Sequence, residues 1–538
     1  RNALGGAEIM SKCFERSHRG ISETGRGASG VSRRGFMAGC AACAAAGVSG
    51  CAAWKSAPPA ASVARKVRVR LVFSHPLPGI TSWPGAGVDF AKRIREIEKR
   101  LPRLCPALDL QMAAATNAKE AKAILTGDKE TEAYVVWFMG MGGGGPVIEQ
   151  HAGKTGRPMV RVGDPYCGPQ PLGYNGRVAK QGGKAICVSP TRLEDAAAII
   201  NCLEALGRPG GTADEFLAAA RERLHASFAG TGDGAAAADD SVTTLPVKDC
   251  LERLKSSTIL LVGRPVTPLA RTIQEQFGVR IESVGFPEIH AAWEQADPEA
   301  SAALADRWMR SAKKVVEPKR EDILKSAAMS LAMESVMAKR KADAITINCL
   351  GGFYGGHLKA YPCLGFVALN DAGRIGACEG DLASTFTMLA VGALSGRPGY
   401  ISDPVIDTST RRIVYAHCVA PTKVFGPEGH SNPYLIRSHA EDARGASVQS
   451  LMPVGYMTTT LKFVPQQRAV VLHRAKAVGN VDDERACRTK LAAEVKGDLE
   501  KLFTNWGNGW HRVTFYGDLK EPIRELCEAA KFTLVEEA

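Results

Sequence analysis

The chain has 538 residues, a formal net charge of +12 and an apolar fraction of 45%; this length has room for roughly three or four domains, and the composition is that of ordinary globular protein. No basic tract is interleaved with aromatic side chains, so a nucleic-acid partner is not indicated. The densest basic stretch, residues 307–341, also carries Glu317, Glu321, Asp322 and Glu334 at helical spacing and reads as a solvated helix face. Eleven widely spaced cysteines follow Cys51 with no C-x-x-C pair among them, which argues against a disulfide framework and against a structural zinc site.

Residues 1–65 read as an export signal and tether. Ser32-Arg33-Arg34-Gly35-Phe36-Met37 resembles a twin-arginine export signal. The uncharged Ala/Gly-rich run that follows, ending at Gly50, is about fifteen residues long, short for a bilayer span and right for a signal-peptide core. Val48-Ser49-Gly50-Cys51 resembles a bacterial lipobox, which implies cleavage before Cys51 and a lipid on its sulfur; simple signal-peptidase cleavage is the alternative. The Ala/Pro/Ser-rich residues 52–64 form a flexible tether. Together these features predict a periplasmic protein or a membrane-anchored lipoprotein, cytoplasmic only if the signal is not used. The N-terminal lipid is the one membrane contact expected.

From residue 66 the pattern alternates strand and helix. Strands are predicted at 67–73, 107–113, 133–139, 159–162 and 185–189, and helices at 87–100, 118–125 and 192–206. This order argues a parallel sheet in a first α/β domain over 66–255. Gly142-Gly143-Gly144-Gly145-Pro146 follows a strand but lacks G-x-G-x-x-G spacing, and it fits a tight strand-to-helix turn better than a nucleotide site. Residues 229–246, rich in Gly, Ala and Asp, read as a flexible excursion. A second α/β domain over 256–395 opens with a strand at 257–263. It continues with helix 269–277, strand 279–284, helices within 299–310 and 319–339, and strand 343–349. Beyond Gly396, short β-like pieces at 413–416, 461–464, 469–473 and 512–515 lie between Gly/Pro/Asn turns. With a helix predicted at 492–503, they indicate a β-rich third domain over 396–538.

Residues 363–407 carry the strongest chemical signal. Cys378-Glu379-Gly380-Asp381 sits between a strand-like run at 363–369, with its turn Asn370-Asp371-Ala372-Gly373, and a helix-like run at 382–394. Two carboxylates two residues apart make a poor piece of core. A helix N-terminus stabilises negative charge, and strand-to-helix junctions are where ligands sit in α/β folds. The plain alternative makes Asp381 the N-cap of the next helix.

Ala377-Cys378-Glu379-Gly380-Asp381, then Leu394-Ser395-Gly396-Arg397-Pro398, Ser402-Asp403-Pro404 and Ala416-His417-Cys418, resembles the L-fucose isomerase and L-arabinose isomerase superfamily. Gly509-Trp510-His511-Arg512-Val513, followed by Tyr516-Gly517-Asp518, is similar to that family's closing motif. The resemblance implies an α/β chain with two Rossmann-like parallel-sheet domains followed by a β-rich, barrel-like C-terminal domain. It implies Mn²⁺, or another divalent cation, and a small sugar substrate of the fucose/arabinose type in a homo-oligomer, trimer or hexamer. The reaction implied is aldose–ketose isomerisation: a cation polarises the carbonyl and stabilises an ene-diolate, and a carboxylate moves the proton as general base and acid. By motif match Asp381 falls on a carboxylate ligand with Glu379 just before it, these two being the catalytic pair. His511 falls on a histidine ligand, and His417 is a further ligand position.

One departure stands out. The family carries a second metal-binding Glu in the loop after the strand at 344–348, and here no Asp or Glu occurs from Ala344 to Asn370. His357 as a softer ligand, or Glu379 swinging in, are the two substitutes. The missing carboxylate also leaves open a catalytically inactive, sugar-binding envelope lipoprotein. Secondary candidates are the polar loop with Glu428, His430, Asn432, His439, Glu441 and Asp442, and the group Ser74, His75 and Trp83, which would reach a pocket across a subunit contact. Tyr456-Met457-Thr458-Thr459-Thr460 reads as a structural strand, and the adjacent His417-Cys418 pair is discounted as a catalytic dyad because neighbours on a strand face opposite sides.

Overall fold

A computed structural model describes residues 65–230 and 236–538. Arg33, Arg34 and Cys51, which carry the export and lipidation readings, lie outside the described residues.

The first sheet is built from β1 (Val67–Ser74), β2 (Leu108–Ala115), β3 (Ala133–Phe138), β4 (Met159–Gly163) and β5 (Ala185–Val188). Its order is β2-β1-β3-β4-β5 and every pairing is parallel. β3 is buried at every position, as expected of a parallel strand covered on both faces by helices. Helix Gly145–Thr155 starts in the glycine run. A Cβ on Gly143 would lie 2.5 Å from Ser74 Oγ, so the run is a tight turn. Helix Ala213–Phe228 adds to the helices expected from the sequence; Thr212 and Glu215 form a capping box at its start, a signal present in the residues.

The second series comprises β6 (Thr258–Val262), β7 (Arg280–Val284), the two-residue β8 (Lys314–Val315), β9 (Ala344–Ile347) and β10 (Ile375–Ala377). Four of these form a parallel sheet in the order β10-β9-β6-β7. The strand expected at 363–369 is instead part of helix Cys363–Asp371. A short continuous apolar run does not distinguish a buried strand from a buried helix. Here the run packs on helix Arg320–Lys339, where a Cβ on Gly365 would approach Ser330 Cα to 3.1 Å. Asn370 then ties the helix end to β10, accepting from the Gly376 N–H and donating to its carbonyl, each at 3.0 Å.

The remaining strands are β11 (Tyr400–Asp407), β12 (Arg412–His417), β13 (Tyr434–Arg437), β14 (Ser447–Ser450), β15 (Met457–Val464), β16 (Ala469–Asn480), β17 (Thr489–Lys496), β18 (Arg512–Tyr516) and β19 (Thr533–Glu536). Six close an antiparallel barrel through the circuit β15-β18-β11-β12-β17-β16 and back to β15, with β19 added parallel to β16. β8, β13 and β14 make a separate three-stranded sheet. The chain is therefore mixed α/β, with parallel-sheet regions followed by a closed barrel. The helix expected at 492–503 is split: its first part belongs to β17, and the helix itself runs only over Leu499–Asn505. The Ala-Ala-Glu-Val-Lys segment favours helix on its own, but pairing with β12 on one side and β16 on the other overrides that preference. Gly497, at φ +122°, ends the strand, and Asp498 caps the short helix by accepting from the Lys501 N–H at 2.8 Å.

Helix Leu382–Ser395 is buried along its length except at Gly392. Phe386 packs between Phe277 and Phe463, with ring centroids at 4.6 and 5.4 Å, so the helix joins the core of the second sheet to that of the barrel. Residues 236–246 run as a strap: Ala238 N–H donates to Gly455 O at 2.8 Å, and Asp240 pairs with Arg397 at 2.6 Å. Among the described residues no helix is long and apolar enough to cross a membrane.

Candidate metal centre

The turn between β10 and helix Leu382–Ser395 sets the geometry. Glu379 and Gly380 both adopt left-handed backbone conformations, φ 64° and 61°. For a non-glycine residue this costs about 1–2 kcal/mol, and such strain concentrates at functional sites. A Cβ on Gly380 would meet Arg264 Nε at 2.6 Å, so only glycine fits. The turn is held by Glu379 N–H donating to Cys349 Sγ at 3.4 Å and by Arg264 donating to Glu379 O at 3.2 Å. Asp381 then caps the helix: Oδ1 accepts from the Ser384 N–H at 3.1 Å and Oδ2 from its hydroxyl at 2.7 Å.

The barrel supplies the other half. β11 pairs with β18 with Ser402 opposite Arg512, and with β12 with Asp403 opposite Ala416. These registers place Asp403 between His511, just before β18, and His417, the last residue of β12. His511 Nδ1 lies 2.9 Å from Asp381 Oδ2, and its Nε2 lies 3.1 Å from Asp403 Oδ1 and 3.5 Å from Glu379 Oε2. His417 Nε2 is 3.9 Å from both Glu379 Oε1 and Asp403 Oδ2. The His417 side chain is 2% exposed and Asp403 3%, against 28% for Glu379. Among the described residues neither ring nitrogen of His417 has a hydrogen-bond partner, and Asp403 Oδ1 meets His511 without hydrogen-bond alignment.

The electrostatics follow from burial and crowding. Burial, reinforced by Asp403 and opposed by His511, raises the Glu379 carboxyl to about 8. Burial also pushes Asp381 upward, but the hydrogen bond from His511 and the charge of Lys462 outweigh it and hold this carboxyl below the usual range. Burial would lower His511, yet Asp381 and Asp403 carry it well above an ordinary imidazole. His417 is lowered, chiefly by burial.

The sequence-predicted residues Glu379, Asp381, His417 and His511 thus converge on one spot. Glu379, Asp403 and His511 present ligand atoms within 4.8 Å of one another. Ion-to-ligand bonds of about 2.0–2.2 Å put neighbouring donors roughly 3–3.4 Å apart, so the 3.1 and 3.5 Å separations fit a divalent ion without large movement. Asp381 stands behind this set: its oxygens serve Ser384 and the far nitrogen of His511, the position of a carboxylate that orients a ligand histidine.

Asp403 is the residue the sequence reading passed over. It lies in the quoted Ser402-Asp403-Pro404 motif, on the wholly buried β11; the motif was its one trace in the sequence. His357 does not join the cluster; it is exposed and stacked on Phe286 at 5.1 Å.

The surrounding residues divide cleanly. Trp83, after β1, packs edge-on against Trp510 with centroids at 4.9 Å, beside His511 and within the same chain. Glu441 accepts from the Tyr354 hydroxyl at 3.2 Å. His439 pairs with Asp442 at 3.1 Å; burial lowers this imidazole, but Asp442 outweighs it and raises it to about 9. Glu428 and His430 are exposed, and Asn432 is buried against Ser450. Ser74 caps the glycine turn and His75 stacks on Phe90. The hydroxyls of Thr458, Thr459 and Thr460 bond within the barrel and its flanking turn, a structural role. No family model matches the chain, and comparison with curated proteins returns no significant match.

Proposed function

We propose that Glu379, Asp403 and His511 hold a divalent cation, Mn²⁺ or a similar hard ion, in an enzyme that interconverts an aldose and a ketose of the fucose/arabinose type. The observation that carries this reading is the convergence of two carboxylates and one imidazole, from the turn after β10, from β11 and from the residue before β18, on a single spot, beside a buried His417 with no hydrogen-bond partner among the described residues. Two oxygens and one imidazole suit a hard divalent ion. The absent family carboxylate is replaced, on this reading, by Asp403 and by Glu379 turned inward.

When bound, the cation would act as a Lewis acid toward a carbonyl oxygen. The chain's own residues have distinct roles. Asp381 accepts a hydrogen bond from the Nδ1–H of His511 and so points Nε2 into the cluster. Glu379 is the most exposed member, and with a single cation bound its free oxygen can carry a proton between adjacent carbons. Trp510, partly exposed beside His511 and braced by the buried Trp83, offers an apolar surface against which the C–H face of a sugar can lie. Export through Arg33-Arg34, attachment at Cys51, Rossmann-like topology in the two parallel sheets and homo-oligomer assembly belong to the same reading.

The experiment is direct. Protein loaded with Mn²⁺ is incubated with a panel of aldopentoses and 6-deoxyaldohexoses, and ketose is measured for the wild type and Asp403→Asn. Ketose from one member of the panel, with both turnover and bound Mn²⁺ reduced in Asp403→Asn, supports the reading. Bound Mn²⁺ with no ketose from any sugar leaves the silent sugar-binding protein instead.

A further inference from the structure

Glu379 and Asp403 each turn one oxygen toward His511 and the other toward His417. Toward His511 Nε2 the distances are 3.5 and 3.1 Å; toward His417 Nε2 both are 3.9 Å. Glu379 is shared by two groups of donors, one around each imidazole, which is the donor layout of a two-cation centre. The second imidazole serves nothing else in the fold. His417 is 2% exposed on its side chain and, among the described residues, lacks a hydrogen-bond partner at either nitrogen, a condition that is destabilising when uncompensated. A thiol completes the set, because Cys378, Glu379 and His417 present ligand atoms within 4.8 Å of one another.

We propose that the cluster takes a second divalent cation, held by His417 and Cys378 and bridged to the first by Glu379, the one residue the two donor groups share. The inference rests on Glu379 and Asp403 being ligands in the function proposed above. The two positions differ in chemistry. The first offers oxygen, oxygen and imidazole; the second adds sulfur, which selects the borderline-soft class typified by Zn²⁺. Binding there releases the Cys378 thiol proton to solvent, since the thiolate is the ligand. The 3.9 Å between Glu379 Oε1 and His417 Nε2 is longer than the roughly 3.3 Å expected between donors around one such ion, so these two ligands must draw together when the ion binds.

The test uses the full chain and Co²⁺ alone, because cobalt reports thiolate ligation through a charge-transfer band in the near ultraviolet. The wild type should take up two Co²⁺ per chain and show the band. His417→Ala should retain one ion and lose the band, Cys378→Ser should lose the band, and His511→Ala should keep the band with one ion. If His417→Ala fails to fold, Cys378→Ser carries the test. One Co²⁺ per chain in the wild type, or a band that persists in Cys378→Ser, overturns the proposal. Ketose assays separate the two readings. Two cobalt ions with no ketose from any aldose refutes the isomerase alone, and one cobalt ion with ketose formed refutes the second site alone.

Discussion

Asp381 performs two jobs that substitution can separate. As N-cap it satisfies the Ser384 N–H at 3.1 Å, and as partner of His511 it accepts from Nδ1 at 2.9 Å. Asparagine caps about as well as aspartate, whereas alanine forfeits about 1 kcal/mol. Both substitutions remove a hydrogen bond between charged groups, worth about 1.5–3 kcal/mol. Asp381→Asn should therefore destabilise the metal-free protein by about 1.5–3 kcal/mol, and Asp381→Ala by roughly 1 kcal/mol more. Mutating the partner that orients a ligand histidine typically costs 10–100-fold in metal affinity, about 1.4–2.7 kcal/mol. Both variants should show that loss to a similar degree. Urea unfolding of the metal-free proteins and Mn²⁺ titration calorimetry measure the two quantities separately. Wild-type Mn²⁺ affinity in Asp381→Asn would refute the orienting role and leave only a cap. Equal stability of the two variants would refute the cap.

Glu379→Gly should stabilise the metal-free protein by about 1 kcal/mol, because glycine adopts φ 64° without penalty, while abolishing Mn²⁺ binding; unfolding and calorimetry on one preparation check the trade. His357→Ala should leave metal content unchanged, since His357 is exposed on Phe286; elemental analysis decides, and reduced content would return His357 to the ligand set. Glu537 is buried between Arg512 at 2.6 Å and His473 at 3.2 Å. Although burial pushes it up, these partners lower it from 4.5 to about 2. Its contribution is therefore fully present above 4.5 and lost as pH falls through that value toward about 2. Glu537→Gln should flatten this acid limb in pH-dependent unfolding; an unchanged limb would count against the pairing. Phe386→Ala should cost about 3–5 kcal/mol, read by urea unfolding, because the ring fills the contact between Phe277 and Phe463.

Much of this architecture was legible in the residues, and the exceptions have physical causes. The strands of the first sheet stand close to where apolar runs and turn residues place them, because parallel strands buried on both faces leave an uninterrupted signal. The run at 363–369 misled because seven apolar residues serve a buried helix and a buried strand equally. The segment at 492–496 misled because its helical preference is local, whereas β17 is decided by two distant partners. Glu379, Asp381, His417 and His511 were visible as motif residues. The role of Asp403 was not, since it depends on the register of β11 against β12 and β18, which no short-range pattern encodes. On the proposed reading, Asp403 of β11 stands in for the carboxylate that the loop after β9 lacks.

A structure determined from Mn²⁺-soaked crystals, with anomalous scattering recorded at the manganese edge, addresses the metal site at its root. A peak bounded by Glu379, Asp403 and His511, with Asp381 still on the far nitrogen of His511, is the predicted result. Manganese bound elsewhere, or no peak within reach of those three side chains, would contradict it.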